Sequence, residues 1–353
     1  MKTEFFGCQK RCQNYPYQKQ IRLFLIKTHP GIVNLKDLPP ETMNYRTLGA
    51  TGFKVSALAY GGSSLGSAFR DIDESEGIRS VHVALDNGIN LIDTAPYYGA
   101  TKAETVLGKA LRGIRRDRYI LATKVARYGP DIKDFDFSSA RVLRSIDESL
   151  ARIGVDYIDF IQVHDMEFGN LDQIIHETIP ALRKAQANGK IRFVGISCLP
   201  VKLLKKVMDQ VAVDQIQSYC HYCLNDTALS DLLPYLQQKG VGIFNSAPLA
   251  MRLLSNEGPP DWHPAPAQLR AKCAEAAAFC RKHGTDLGKL ALQFSMANPA
   301  MHTHIVGTAS PARVLQNIAD AEAALDPALL AEVQRILAPV HNLTWSSGRL
   351  ENN

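Results

Sequence analysis

From Met43 onward the chain alternates two textures of apolar and polar positions. Short apolar or β-branched runs read as strands, and each is followed by a stretch with helical periodicity. The strand-like runs are SALAYGG, NLIDTA, YILATKV, YIDFIQVHD, IRFVGIS, QIQSYCHY, VGIFNSAP and THIVGTA, eight in all. Between them, LDQIIHETIPALRKAQANGK places Leu171, Ile174, Ile175, Thr178 and Leu182 on one face, and Asn188-Gly189 supplies a helix stop. In SSARVLRSIDESLARIG the serines can cap, Val142, Ile146, Leu150 and Ile153 share a side, and Gly154 ends the helix.

Continuous apolar strands separated by amphipathic helices imply a parallel sheet buried on both sides. Eight such units predict an α/β fold, a closed (β/α)8 TIM barrel. An open doubly wound sheet is the competitor. Against it, the first strand runs into GGSSLGS with no GxGxxG opening a helix, and no acidic residue ends a second strand in the ribose-binding role. Beyond Asp326, PALLAEVQRILAPV reads as one extra C-terminal helix and HNLTWSSGRLENN as a polar tail. The expected organisation is an N-terminal extension over residues 1–42, a barrel over 43–340 and a tail over 341–353.

Composition changes this picture little. The 46% hydrophobic and 21% charged content of 353 residues is enough for a sizeable core. No apolar run approaches the roughly 18 residues needed to cross a bilayer. Residues 1–42 hold seven Lys/Arg against three Asp/Glu, so they carry +4 of the net charge of +5, and the rest lacks a nucleic-acid footprint. That segment reads as a disordered leader or a start upstream of Met43, with an organelle-targeting peptide as the alternative. Seven cysteines form no framework: Cys220 and Cys223 have CxxC spacing without a second pair, Cys273 and Cys280 lie two helical turns apart, and Cys8 and Cys12 fall in the extension. Neither a disulfide set nor a metal site is expected, and a reducing, cytoplasmic compartment is the natural reading.

Chemistry collects at the strand ends, which in this fold face one mouth. The second strand ends in Asp93 with Tyr98 five residues on, the third ends in Lys124, and the fourth in His164. Singly these read as a cap, a packing ring and a snorkelling lysine. Jointly they read as a site: a buried Lys124 needs a partner, Asp93 is at hand, and a cation about 4–6 Å from a phenol would lower its pKa. Tyr98 then becomes a proton shuttle.

Asp93-Thr94-Ala95-Pro96-Tyr97-Tyr98-Gly99, Lys124 and His164 resemble the DTAxxYG motif, strand lysine and strand-four histidine of the aldo-keto reductases, and the likeness runs over nearly the whole chain after Met43. The resemblance implies a tetrad, with Tyr98 as general acid or base, Lys124 and Asp93 tuning it and His164 orienting the reacting oxygen. It also implies a nicotinamide cofactor bound without a Rossmann motif. The carboxamide-holding pair stands as Ser197-Cys198, the shared strand-six position as Gln217 or Tyr219, and the ring-stacking position as Ser246, ahead of Pro248-Leu249. The adenosine-gripping segment is GTASPARVLQN, with Gly307 where a lysine is often found, then Thr308, Arg313 and Asn317. Lack of that cation favours NAD, with NADP as the alternative.

Other stretches resemble the branch of the family that oxidises C1 of aldoses such as L-galactose or L-fucose to lactones. In that reading Tyr98 is the general base, and Tyr97, Tyr128, Phe168 and Trp262 form walls for the sugar. Asp165 and Glu167 bind hydroxyls or are solvated loop residues, and GPPDWHPAP is a semi-rigid lid. The expected partner is a small sugar or aldehyde, with no nucleic acid and no membrane. Two rivals stand beside it: a general NADPH-dependent aldehyde or ketone reductase, and a nucleotide-binding regulatory subunit on the same fold.

Overall fold

The computed structural model describes residues 43–68 and 70–353, so the expected extension over 1–42, with Cys8 and Cys12, lies outside the described residues. The described chain starts with an antiparallel hairpin, β1 (Tyr45–Thr47) and β2 (Lys54–Ser56). Strands of three residues are too short for apolar alternation to announce them. Then come β3 (Leu58–Gly61), β4 (Leu91–Asp93), β5 (Ile120–Val125), β6 (Ile158–Val163), β7 (Ile191–Cys198), β8 (Gln215–Tyr219), β9 (Gly242–Ser246) and β10 (Thr303–Gly307). All eight pair in parallel, and β10 closes onto β3. The chain folds as the (β/α)8 barrel that its eight apolar runs predict.

The connecting helices obey their local signals. In the helix Ser139–Ile153, Ser138 accepts from the Arg141 amide at 3.3 Å, and Gly154 takes φ 76°. Asn170 caps Leu171–Gln173, which passes through a π turn at Ile174–Thr178 into Ile179–Ala187. Pro180 explains the π turn, because its missing N–H cannot close the ordinary helical bond. The extra C-terminal helix forms at Pro327–Leu337 with Asp326 as its cap. Two further helices, Ala267–Lys282 and Leu287–Met296, lie between β9 and β10. None of the described helices is long and apolar enough to cross a membrane.

Inside the barrel, Leu91, Ile120, Ala122, Phe160, Phe244 and Ile305 form an apolar floor. Phe53, from the β1–β2 hairpin, closes it with ring centroids 5.9 Å from Phe160 and 5.7 Å from Phe193. Above the floor the inward positions turn polar: Lys124, Gln162, Gly195 and Gln215 share one register row. Gly195 is required there, since a Cβ would stand 2.1 Å from Gln215 Oε1. The polar layer opens at the C-terminal ends of the strands.

The tail over 341–353 is not a loose polar end. Its last turn, Leu350–Asn352, buries Asn352, whose Nδ2 donates to the Glu167 and Gly169 carbonyls at 2.8 and 3.1 Å. Ser347 Oγ donates to Glu167 Oε1 at 2.9 Å.

Candidate active site

Asp93 is the last residue of β4, and its partner across the ladder is Ala122. Two residues further on, Lys124 therefore points inward on the same face. Its Nζ donates to Asp93 Oδ1 and Oδ2, both at 2.7 Å, and to the Thr94 carbonyl at 2.8 Å. Both side chains are almost fully buried, at 1% and 3% exposure. The ammonium is thus tied to one carboxylate and one carbonyl. Gln217, inward on β8, adds a hydrogen bond to Asp93.

Tyr98 rides on the turn between β4 and the helix Lys102–Leu111. Two glycines hold that turn down: Gly99 has φ 63°, and a Cβ on it would meet the Gly66 carbonyl oxygen at 2.2 Å. The Tyr98 ring centre lies 5.2 Å from Lys124 Nζ and 5.8 Å from the His164 ring, at 90° to it. Tyr98, Lys124, Asp93 and His164 are thus brought together.

The electrostatics correct one expectation. In place of a lowered pKa, the phenol is held well above its ordinary value, by desolvation first, then by the Asp93 and Asp165 charges, with Arg127 acting the other way. Asp93, bonded to Lys124, places its negative charge near the phenol. Burial pushes His164 down to about 3, helped by the Lys124 and Arg127 charges and opposed by Asp165. The imidazole is neutral, and its Nδ1 is buried without a partner among the described residues.

Arg127, missed in the sequence because a lone arginine after a strand carries no signal, lies at this mouth. Its guanidinium stacks on Tyr97 with Cζ 3.6 Å from the ring centre and forms an ion pair with Asp165. The Phe135 and Phe168 rings, stacked 4.6 Å apart, lie 5.2 and 5.9 Å from it. Tyr97 and Phe168 therefore share one wall.

Tyr128 does not join them. Its ring carries the Arg141 guanidinium at 3.6 Å, and its hydroxyl accepts from the Ala126 amide at 3.1 Å. Arg127 bridges to Phe135 in a short antiparallel pair, so successive side chains alternate, and Tyr128 is sent toward the helix Ser139–Ile153. Glu167 is not a solvated loop residue, and its Oε2 has no partner among the described residues. It is fully buried, and its Oε1 accepts from the Leu199 amide at 3.2 Å, Tyr219 hydroxyl at 3.3 Å and Ser347 hydroxyl. Trp262 is half exposed and stacked on His263, whose other neighbour is Trp345 of the tail, 5.1 Å away. His263 pins the GPPDWHPAP loop: Nε2 donates to the Ala250 carbonyl at 3.0 Å, and Nδ1 accepts from the Ala265 amide at 3.1 Å.

Around the mouth, some buried polar atoms are left without partners among the described residues. Gln217 Oε1 and Ser246 Oγ are buried without partners among the described residues. Ser197 lies beside Gln217 in the ladder, while Tyr219 turns its hydroxyl to Glu167. Leu249, in the loop after β9, packs against the main hydrophobic core. After β10, Gly307 faces Gly61, and Thr308 Oγ1 accepts from the Ser310 amide at 3.1 Å ahead of the helix Pro311–Glu322. On that helix Arg313 and Asn317 are one turn apart, and Arg313 reaches Glu257 at 3.8 Å, which also holds Arg252 at 2.6 Å. Among the described residues no cluster of His, Cys, Asp or Glu is arranged to hold a metal ion.

A model of the aldo/keto reductase family matches residues 57–338. Over 316 residues the chain is 48% identical to L-galactose dehydrogenase of Arabidopsis thaliana, covering 87% of this chain and 98% of that one. A D-threo-aldose 1-dehydrogenase from a Pseudomonas species is 30% identical over 311 residues, 80% and 94% of the two chains. Among solved structures, the holo form of the aldo-keto reductase AKR11C1 from Bacillus halodurans superposes with a TM-score of 0.70 at 30% identity, covering 87% of this chain and 99% of that chain.

Proposed function

The chain belongs to the aldo/keto reductase family, and on that footing we propose that it is an NAD(P)-dependent aldose dehydrogenase oxidising C1 of a sugar such as L-galactose to its lactone. The observation that carries the reading is the buried Lys124–Asp93 pair beneath Tyr98, with a neutral His164 ring edge-on to the phenol. As the phenolate, Tyr98 accepts the proton of the anomeric hydroxyl as general base, and a neutral His164 can donate to or accept from that oxygen. Lys124 and Asp93 fix the floor on which the phenol rests. Tyr97 and Phe168 cover the apolar face of the sugar.

The residues present fit a nicotinamide dinucleotide. The orphaned Gln217 Oε1 and Ser246 Oγ, with Ser197, suit a carboxamide, Leu249 supports the pyrophosphate loop, and Thr308, Arg313 and Asn317 suit the adenosine end. When bound, that cofactor supplies the hydride acceptor. Glu257 beside Arg313 disfavours a 2′-phosphate, so NAD is the preferred form. The five described cysteines are free and buried, in keeping with a reducing, cytoplasmic compartment.

A second reading, carbonyl reduction, is favoured by one observation: Tyr98 is held protonated, as a general acid must be. The test is a screen of the purified full chain against L-galactose, L-fucose, D-arabinose and simple aldehydes with both cofactors, following reduced-nicotinamide absorbance. Sugar-dependent formation of the reduced cofactor supports the dehydrogenase; turnover only of aldehydes with NADPH supports the reductase.

A further inference from the structure

Asp165 Oδ1 stands 3.8 Å from His164 Nε2, too far for a hydrogen bond and near enough for one small polar group to touch both. With Nδ1 of the imidazole enclosed, Nε2 is the ring nitrogen left to meet a substrate oxygen. The same space is walled by tyrosines. The Tyr97 and Tyr98 ring centres lie 5.9 and 5.8 Å from the His164 ring and 6.0 Å from each other. A carboxylate therefore borders the nitrogen on which the reacting oxygen rests.

The backbone puts it there. In an extended chain, successive side chains point to opposite faces, but Asp165 has φ 49°, a left-handed conformation that aspartate adopts more readily than most residues. That turn brings the carboxylate back beside His164. Its other oxygen, Oδ2, is taken by the Arg127 guanidinium, which is itself laid on the Tyr97 ring at 3.6 Å. Asp165 is thus buried and fixed in orientation. An ionised carboxylate only accepts hydrogen bonds, so a group meeting Oδ1 has to be a donor.

Resting on the aldose dehydrogenase reading, we propose that Asp165 determines specificity by accepting a hydrogen bond from the hydroxyl on the carbon next to the reacting one, with Arg127 as the positioning residue that holds its carboxylate. When the reacting oxygen sits on His164 Nε2, the hydroxyl one carbon along comes within reach of Oδ1. An aldose carries a donor at that carbon. An unsubstituted aldehyde carries none, and leaves a buried carboxylate oxygen without the bond it is placed to make. The substrate class is therefore 2-hydroxyaldehydes and their cyclic forms.

The test is the ratio of kcat/KM between substrates that differ only in that hydroxyl: L-galactose against 2-deoxy-L-galactose with NAD+, and lactaldehyde against propanal with NADPH. Wild type should favour the hydroxylated member by roughly 10- to 100-fold, the worth of a hydrogen bond to a charged group. Asp165→Ala should abolish the preference, and Asp165→Asn, which suits the left-handed backbone and keeps only a neutral acceptor, should lower it several-fold. Arg127→Met should also lower it, and Arg127→Lys should restore most of it. A merely structural role would slow both members alike and leave the ratio where it was. No preference in wild type, or a wild-type ratio in Asp165→Asn, overturns the proposal. The aldehyde pair reads the ratio without any sugar oxidation, so a failure to form the lactone counts against the functional reading alone.

Discussion

Lys124 and Asp93 meet head-on: one ammonium nitrogen lies 2.7 Å from both oxygens of one carboxylate, and both groups are out of water. Removing one member strands the other. Lys124→Met should cost about 3–5 kcal/mol of stability, while the double variant Lys124→Met/Asp93→Leu should be more stable than the single, because no buried charge remains. Urea midpoints of the single and double variants check this; a double variant less stable than Lys124→Met contradicts it.

Much of this site was legible in the sequence because barrel geometry does the gathering. Asp93, Lys124 and His164 end consecutive apolar runs, and a parallel barrel forces such ends to one mouth. What the sequence withheld depends on turns. The positive φ of Ala126, 81°, and the Arg127–Phe135 bridge decide that Arg127 faces the site and Tyr128 does not. Nor does spacing reveal that Lys124 also holds the Thr94 carbonyl, or that Ser347 and Asn352 travel across the fold to Glu167. The helical spacing of Cys273 and Cys280 marks the helix Ala267–Lys282.

Glu167 gives a pH dependence of known sign. Burial, with the Asp165 charge, raises its carboxyl from 4.5 to about 8. Between those values the folded chain holds a proton that the unfolded chain has lost, so this residue's contribution to stability declines as pH rises through the window. Glu167→Gln keeps an acceptor for Leu199, Tyr219 and Ser347 but cannot ionise. Its Tm should gain on wild type by several degrees as the pH is raised across that window; parallel Tm curves would contradict the assignment.

Glu257 bridges Arg313 and Arg252 at the adenosine end proposed for the cofactor. Its negative charge suits a ribose hydroxyl and repels a phosphate. Glu257→Gln should lower the KM for NADP+ several-fold and change that for NAD+ little, whereas Arg313→Ala should weaken both. Steady-state kinetics with each cofactor check this, and an unchanged NADP+/NAD+ ratio in Glu257→Gln would refute it.

The central claim is that Tyr98 moves the proton. The direct measurement is the single-turnover rate of reduced-nicotinamide formation from L-galactose in wild type and Tyr98→Phe, each saturated with cofactor. Loss of the phenol should slow the step by about 10²–10⁴-fold, the range of general acid–base catalysis, while the cofactor Kd is preserved. An undiminished rate in Tyr98→Phe would contradict the account.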